Sequence, residues 1–207
     1  MTSSQSFAQA GASLETNGFW VVPSLVDEDT RQHLLDCLGP GTAAGRRGVL
    51  AIPEISRIAH AEELTRWVKP FLPQGSVRPV RGIFFDKSPE TNWLVPWHQD
   101  LTIVVRERKE VPGFGPWSVK DGQVHVQPPV ECLRQMLTLR LHLDAADEAN
   151  GALRVIPGSH ASGRLSVAGI CEWREMQPEE VCRVKAGGAL LMRPLLLHAS
   201  GRSHSPR

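Results

Sequence analysis

Cysteine is scarce and scattered in this chain. Its four cysteines, Cys37, Cys132, Cys171 and Cys182, include no CxxC pair, so zinc and dithiol sites built on paired cysteines are excluded and the four read as reduced, mostly buried thiols. A surplus of charge is missing too. Lys plus Arg number 23 against 22 Asp plus Glu, which leaves no strong field to draw the protein onto nucleic acid or an anionic membrane. There is also no long apolar run. The most apolar stretch, AGGALLMRPLLLHA, is broken by Arg193 and Pro194, and the opening MTSSQSFAQAGAS has neither a basic n-region nor an apolar h-region. Neither export nor membrane spanning is indicated, and a cytoplasmic location is expected. Internal repeats and low-complexity blocks are absent as well. What remains is an ordinary globular composition, 41% hydrophobic and 22% charged over 207 residues, enough for one soluble domain with a substantial core. Nothing in it fixes an oligomeric state.

Along the chain, residues 1–17 are small and polar and are expected to form a flexible lead-in, with one domain spanning 18–207. Gly18 to Pro23 reads as a short strand stopped by proline. Asp27 offers an N-cap for a helix to about Leu38, with Val26, Leu34, Leu35 and Leu38 as its apolar stripe and Gly39-Pro40-Gly41 as its end. A second helix is predicted from about Ala61 to Val68. From Val77 onward, short β-rich segments alternate with proline and glycine. Strands are predicted near Arg81–Phe85, Leu101–Val105, Trp117–Val119, Gln123–Val126, Met136–Asp144, Leu153–Ile156, Glu180–Val184 and Ala189–Arg193, with hairpin signals at Asp121-Gly122 and Asn150-Gly151. The class is mainly β with flanking helices.

Two strings carry chemistry. Pro96-Trp97-His98-Gln99-Asp100 is followed a hundred residues later by Pro194-Leu195-Leu196-Leu197-His198. Two imidazoles and one carboxylate are the ligand set of a non-haem iron(II) site that keeps open positions. On a strand the side-chain period is two, so His98 and Asp100 are expected on one face and Trp97 and Gln99 on the other. His198 must then come from another strand brought opposite, which calls for a rolled sheet.

With Ile83-Phe84-Phe85-Asp86-Lys87 before WHQD, then NGALRVIPGSH at 150–160 and His198-Ala199-Ser200, the order of motifs resembles the phytanoyl-CoA dioxygenase family over roughly residues 18–207. The resemblance implies a double-stranded β-helix, a jelly-roll or cupin-like barrel. It implies iron(II) on His98, Asp100 and His198, and 2-oxoglutarate and O2 as cosubstrates, with succinate and CO2 released as a small molecule is hydroxylated. It also implies that Ser200 and Lys87 help to hold the far carboxylate of 2-oxoglutarate. The family's principal cation for that carboxylate lies nine to eleven residues beyond the distal histidine. Here Arg207 occupies plus nine as the last residue, so the closing strand is expected to be truncated; Arg202, at plus four, is placed less well.

Arg140 is a further candidate. In Leu137-Thr138-Leu139-Arg140-Leu141-His142-Leu143-Asp144 strict alternation puts leucines on one face and Thr138, Arg140 and His142 on the other. If that polar face lines the interior, Arg140 and His142 look into the site; if not, they are solvated. The carboxylate at Asp100 favours hydroxylation over halogenation, for which related enzymes carry a small residue there. Trp93, Trp97, Phe114 and Trp117 are candidates for a substrate wall, and no dense basic cluster suits a coenzyme A phosphate. The competing reading is a cupin-like metal-binding or sensory protein without cosubstrate turnover.

Overall fold

Ala189-Leu190-Leu191-Met192 is apolar at every position, so a strand there needs cover on both faces. In the computed structural model, which describes residues 3–40, 45–73, 77–87 and 92–204, all four residues are at most 2% exposed. The first half of the chain forms α1 (Ser3–Thr16), β1 (Phe19–Val22), α2 (Glu28–Leu38), β2 (Gly45–Arg47), α3 (Pro53–His60), α4 (Glu62–Thr65) and β3 (Ile83–Phe85). Next come β4 (Val95–His98), β5 (Ile103–Val105), β6 (Trp117–Lys120), β7 (Gln123–Val126), α5 (Val130–Arg134) and β8 (Thr138–Leu141). The last elements are β9 (Leu153–Val155), α6 (Val167–Met176), β10 (Glu180–Val181), β11 (Ala189–Met192) and β12 (His198–Ser200).

β11 is the centre of one antiparallel sheet, ordered β1-β11-β8. Ala189 and Leu191 face helices and cluster with Leu14 of α1, Leu34 of α2, Ile58 of α3 and Leu64 of α4. Leu190 and Met192 point the other way and meet Leu153 and Val155 of β9 with Phe19 and Leu196. The second sheet, β10-β9-β12-β4, therefore lies against the first, and helices cover the outside. A β5-β7-β6 sheet and the β2-β3 pair complete the antiparallel strands. Among the described residues the rolled sheet takes the form of facing sheets with no closed barrel. No described helix is long and apolar enough to cross a membrane.

Several expectations change. The flexible lead-in is, over its described part, helix α1, whose Ala10 and Leu14 are completely buried. Its polar composition hides a short apolar stripe, and packing on the sheet supplies the stability that such a sequence lacks alone. The helix predicted over 61–68 is the short α4, which follows a break at Ala61; α3 before it, opened by Pro53 at N1, was not expected. The helices α5 and α6 were not anticipated, although Ser166 caps α6 by accepting from the Gly169 amide. Asp27 caps α2 as expected, accepting from the Thr30 amide at 2.9 Å.

Asp121 and Gly122, with φ of 51° and 74°, make the tight turn between β6 and β7. Asn150-Gly151 does not join paired strands, since β8 and β9 belong to different sheets. Gly151, at φ 77°, is instead required where a Cβ would lie 2.7 Å from the Gly201 carbonyl oxygen.

Candidate metal centre

β4 and β12 pair antiparallel with His98 directly opposite His198. Their ring centroids are 4.1 Å apart, inclined at 53°. β4 ends at His98, so Asp100 lies just past the strand rather than on it; its amide donates to the Pro194 carbonyl at 2.9 Å. That bond ties the WHQD segment to the loop leading into His198. One ligand atom from each of His98, Asp100 and His198 can be chosen so that all lie within 4.8 Å of one another. His198 Nε2 stands 4.0 Å from Asp100 Oδ2, too far for a hydrogen bond and suited to two donors facing a common centre.

The imidazoles are set up alike. Nδ1 of His98 lies 2.8 Å from the Pro96 carbonyl oxygen, and Nδ1 of His198 lies 2.9 Å from that of Leu196. A carbonyl only accepts, so each Nδ1 carries a hydrogen, and Nε2 is the atom that the neutral ring offers to a metal. Burial pushes His198 down to about 4, against the pull of Asp100, so the ring is neutral at pH 7. The neutral His198, with His98 opposite it and a carboxylate beside both, fits a divalent metal such as iron(II).

Gln99, between His98 and Asp100, carries no sequence signal of a role. It is 6% exposed; its side-chain amide donates to the carbonyls of Gly163 (2.7 Å) and Leu195 (2.6 Å), and its oxygen accepts from the Leu165 amide at 2.8 Å. It thus fixes the backbone before His198 to the backbone carrying His98 and Asp100. No periodic signal marks such a residue.

The open question about Arg140 is decided by register. Leu139 and Leu141 pack on the helix-side cluster, whereas Arg140 is paired with Leu190, whose side chain faces the second sheet. Thr138, Arg140 and His142 therefore point between the sheets. Arg140 lies over the Phe85 ring at 5.3 Å and acts electrostatically on Lys87, while Asp100 acts on Arg140. Lys87 Nζ donates to Ser200 Oγ at 2.8 Å and to the Gly201 carbonyl at 2.7 Å. Burial, followed by repulsion from Arg140, pushes its ammonium down to about 8. His142 is buried with Nε2 lacking a hydrogen-bond partner among the described residues, and burial, then Arg140, lowers it to about 4. Lys87, Arg140 and Ser200 are thus brought together beside the His98, Asp100 and His198 cluster. Arg207 lies outside the described residues.

The expected aromatic wall divides. Trp93 stands near the site, 6.2 Å from Phe85 and beneath Lys87. Trp97 points away from His98 and packs against the guanidinium groups of Arg154 and Arg174. Trp117 lies beside Arg108.

A family model described as Phytanoyl-CoA dioxygenase (PhyH) matches residues 14–207. No curated protein matches the chain. Among solved structures, the fold is similar to that of AviO1 from Streptomyces viridochromogenes Tue57, at 21% identity over 97% of this chain and 89% of that one, with a TM-score of 0.69. HygX from Streptomyces hygroscopicus, solved with nickel and 2-oxoglutarate bound, is 17% identical over 100% of this chain and 83% of that one, with a TM-score of 0.65. SnoK, a non-heme alpha ketoglutarate dependent carbocyclase from nogalamycin biosynthesis, is 14% identical over 95% and 78%, with a TM-score of 0.68.

Proposed function

Because the chain belongs to the phytanoyl-CoA dioxygenase family, whose members depend on iron(II) and 2-oxoglutarate, we propose that it hydroxylates a small molecule, with His98, Asp100 and His198 as the iron ligands. The observation that carries this reading is the convergence of one ligand atom from each of two imidazoles and a carboxylate within 4.8 Å. When bound, iron(II) and 2-oxoglutarate supply oxidative decarboxylation to succinate and CO2, coupled to oxidation of a C–H bond. The protein holds the reactants. His198, buried and neutral, presents its lone pair from β12; His98 does so from β4; Asp100 contributes the single negative charge and fills the position a halide would need. Lys87 and Ser200 receive the far carboxylate of 2-oxoglutarate, and Arg140 adds a second charge from the opposing sheet.

Anaerobic addition of iron(II) and 2-oxoglutarate is the direct test. A weak visible charge-transfer band is the expected result, and its absence contradicts the proposal. Hydroxylation itself is checked by transfer of one labelled oxygen atom from O2 to the product.

Lys87 makes a pH prediction with a definite sign. Only its ammonium attracts a carboxylate, so the KM for 2-oxoglutarate should be flat below pH about 8 and rise above it. Arg140 keeps its charge throughout this range, so affinity falls without vanishing. Lys87→Met should raise KM at neutral pH about tenfold and flatten the alkaline rise. An unchanged KM profile in the variant would remove Lys87 from the cosubstrate site.

A further inference from the structure

Arg81 is a half-buried cation to which the proposed chemistry gives no task. It has no hydrogen bond or ion pair to any described residue, and its Nε is buried without a partner. The buried Nε has lost water without gaining an acceptor, a place that an anion on the guanidinium would fill.

Its direction follows from β3 and the residues flanking it. Phe84 packs into the cluster with Leu38 and Val49, on the helix side. The odd-numbered neighbours face the opposite way: Phe85 meets Arg140, and Lys87 reaches Ser200 on β12. Arg81 shares that parity and acts from the same side of the strand. Asp100 and Arg47 are the charges that act on it.

The cations around the metal ligands thus form two groups. Lys87 and Arg140 act on each other, next to Ser200. Arg81 is absent from the charges acting on either; it acts instead on His125 of β7, ahead of Lys120 and Arg47. His125 is completely buried and neither ring nitrogen has a hydrogen-bond partner among the described residues. Arg47 is already neutralised by Asp121 at 2.9 Å. Asp100 is felt by both groups. A five-carbon keto diacid held by Lys87 and Ser200 would engage the first group and leave Arg81 with the charge of Asp100 alone.

We infer that Arg81 receives an anionic group of the substrate, so that the substrate is a small carboxylate or phosphate ester oriented by its charge over the metal. This rests on the oxygenase reading and adds the substrate class to it. A bidentate guanidinium contact would fix both the position and the rotation of the acid group, leaving a C–H bond several ångströms away to face the iron.

The test uses the whole chain, loaded anaerobically with iron(II) and 2-oxoglutarate, with benzoate and sulfate as anionic probes and benzamide as the neutral control. Binding is read by calorimetry and the cosubstrate by its visible band. At least one anion is expected to bind while benzamide does not. Arg81→Gln should weaken that binding tenfold or more, Arg81→Lys should keep part of it, and both variants should retain the band and the wild-type affinity for 2-oxoglutarate. The inference is overturned if neither anion binds at tens of millimolar, if benzamide binds equally well, or if Arg81→Gln leaves anion binding unchanged. It is also overturned if Arg81→Gln shifts the band or the affinity for 2-oxoglutarate, since Arg81 would then serve Asp100 or the cosubstrate. Failure of the wild-type protein to form the band refutes the oxygenase reading itself, a distinct result.

Discussion

His98→Ala is expected to abolish the visible band and reduce iron-dependent succinate formation to background. Losing an outer partner of a metal ligand typically lowers affinity about 10–100-fold, so losing one of three ligands should cost at least about 100-fold. His98 is only half-buried, and its one described polar contact besides the site is Nδ1 to the Pro96 carbonyl. The fold should therefore survive, with a melting temperature within a few degrees of wild type. Metal content, absorbance and succinate release measured on the same sample separate loss of the site from loss of the protein. Near-normal turnover would strike His98 from the ligand set and, given its register opposite His198, bring down the site as described.

The second large effect is on stability. Gln99→Leu keeps the size of a buried side chain but deprives the Gly163 and Leu195 carbonyls and the Leu165 amide of their partner. Each orphaned buried group costs about 1–3 kcal/mol. A total of about 3 kcal/mol or more is a large share of the 5–15 kcal/mol typical of a domain. At about 2–4 °C per kcal/mol for this chain length, the melting temperature should fall by roughly 6–12 °C. Iron affinity should weaken as well, because the segment leading to His198 loses its tie to the segment carrying Asp100. A variant that melts like wild type and binds iron normally would mean that water replaces the amide without cost.

These two residues show where the sequence is readable. His98 and Asp100 stand out because metal chemistry permits few residue types and the family's motifs surround them. Gln99 between them is silent, since a side chain that binds backbone carbonyls answers to no period and no composition. The hairpin at Asp121-Gly122 was legible from local φ preferences. The equally suggestive Asn150-Gly151 was misread, because its glycine serves a close approach to Gly201 that lies fifty residues away in sequence. Helix α1 escaped for a related reason: Ala10 and Leu14 are a helical face only once a sheet exists to receive them.

The sequence by itself determined the mainly β class, the central apolar strand and the three metal-ligand candidates, since these follow from side-chain type and short-range periodicity. Only the tertiary structure decided which face of β8 is interior, and so that Arg140 looks between the sheets. Only it joined Lys87 to Ser200 and left Arg81 Nε without a hydrogen-bond partner among the described residues. Alternation along a strand sorts side chains into two sets, but which set is buried depends on what packs against the sheet, and that is a property of distant parts of the chain.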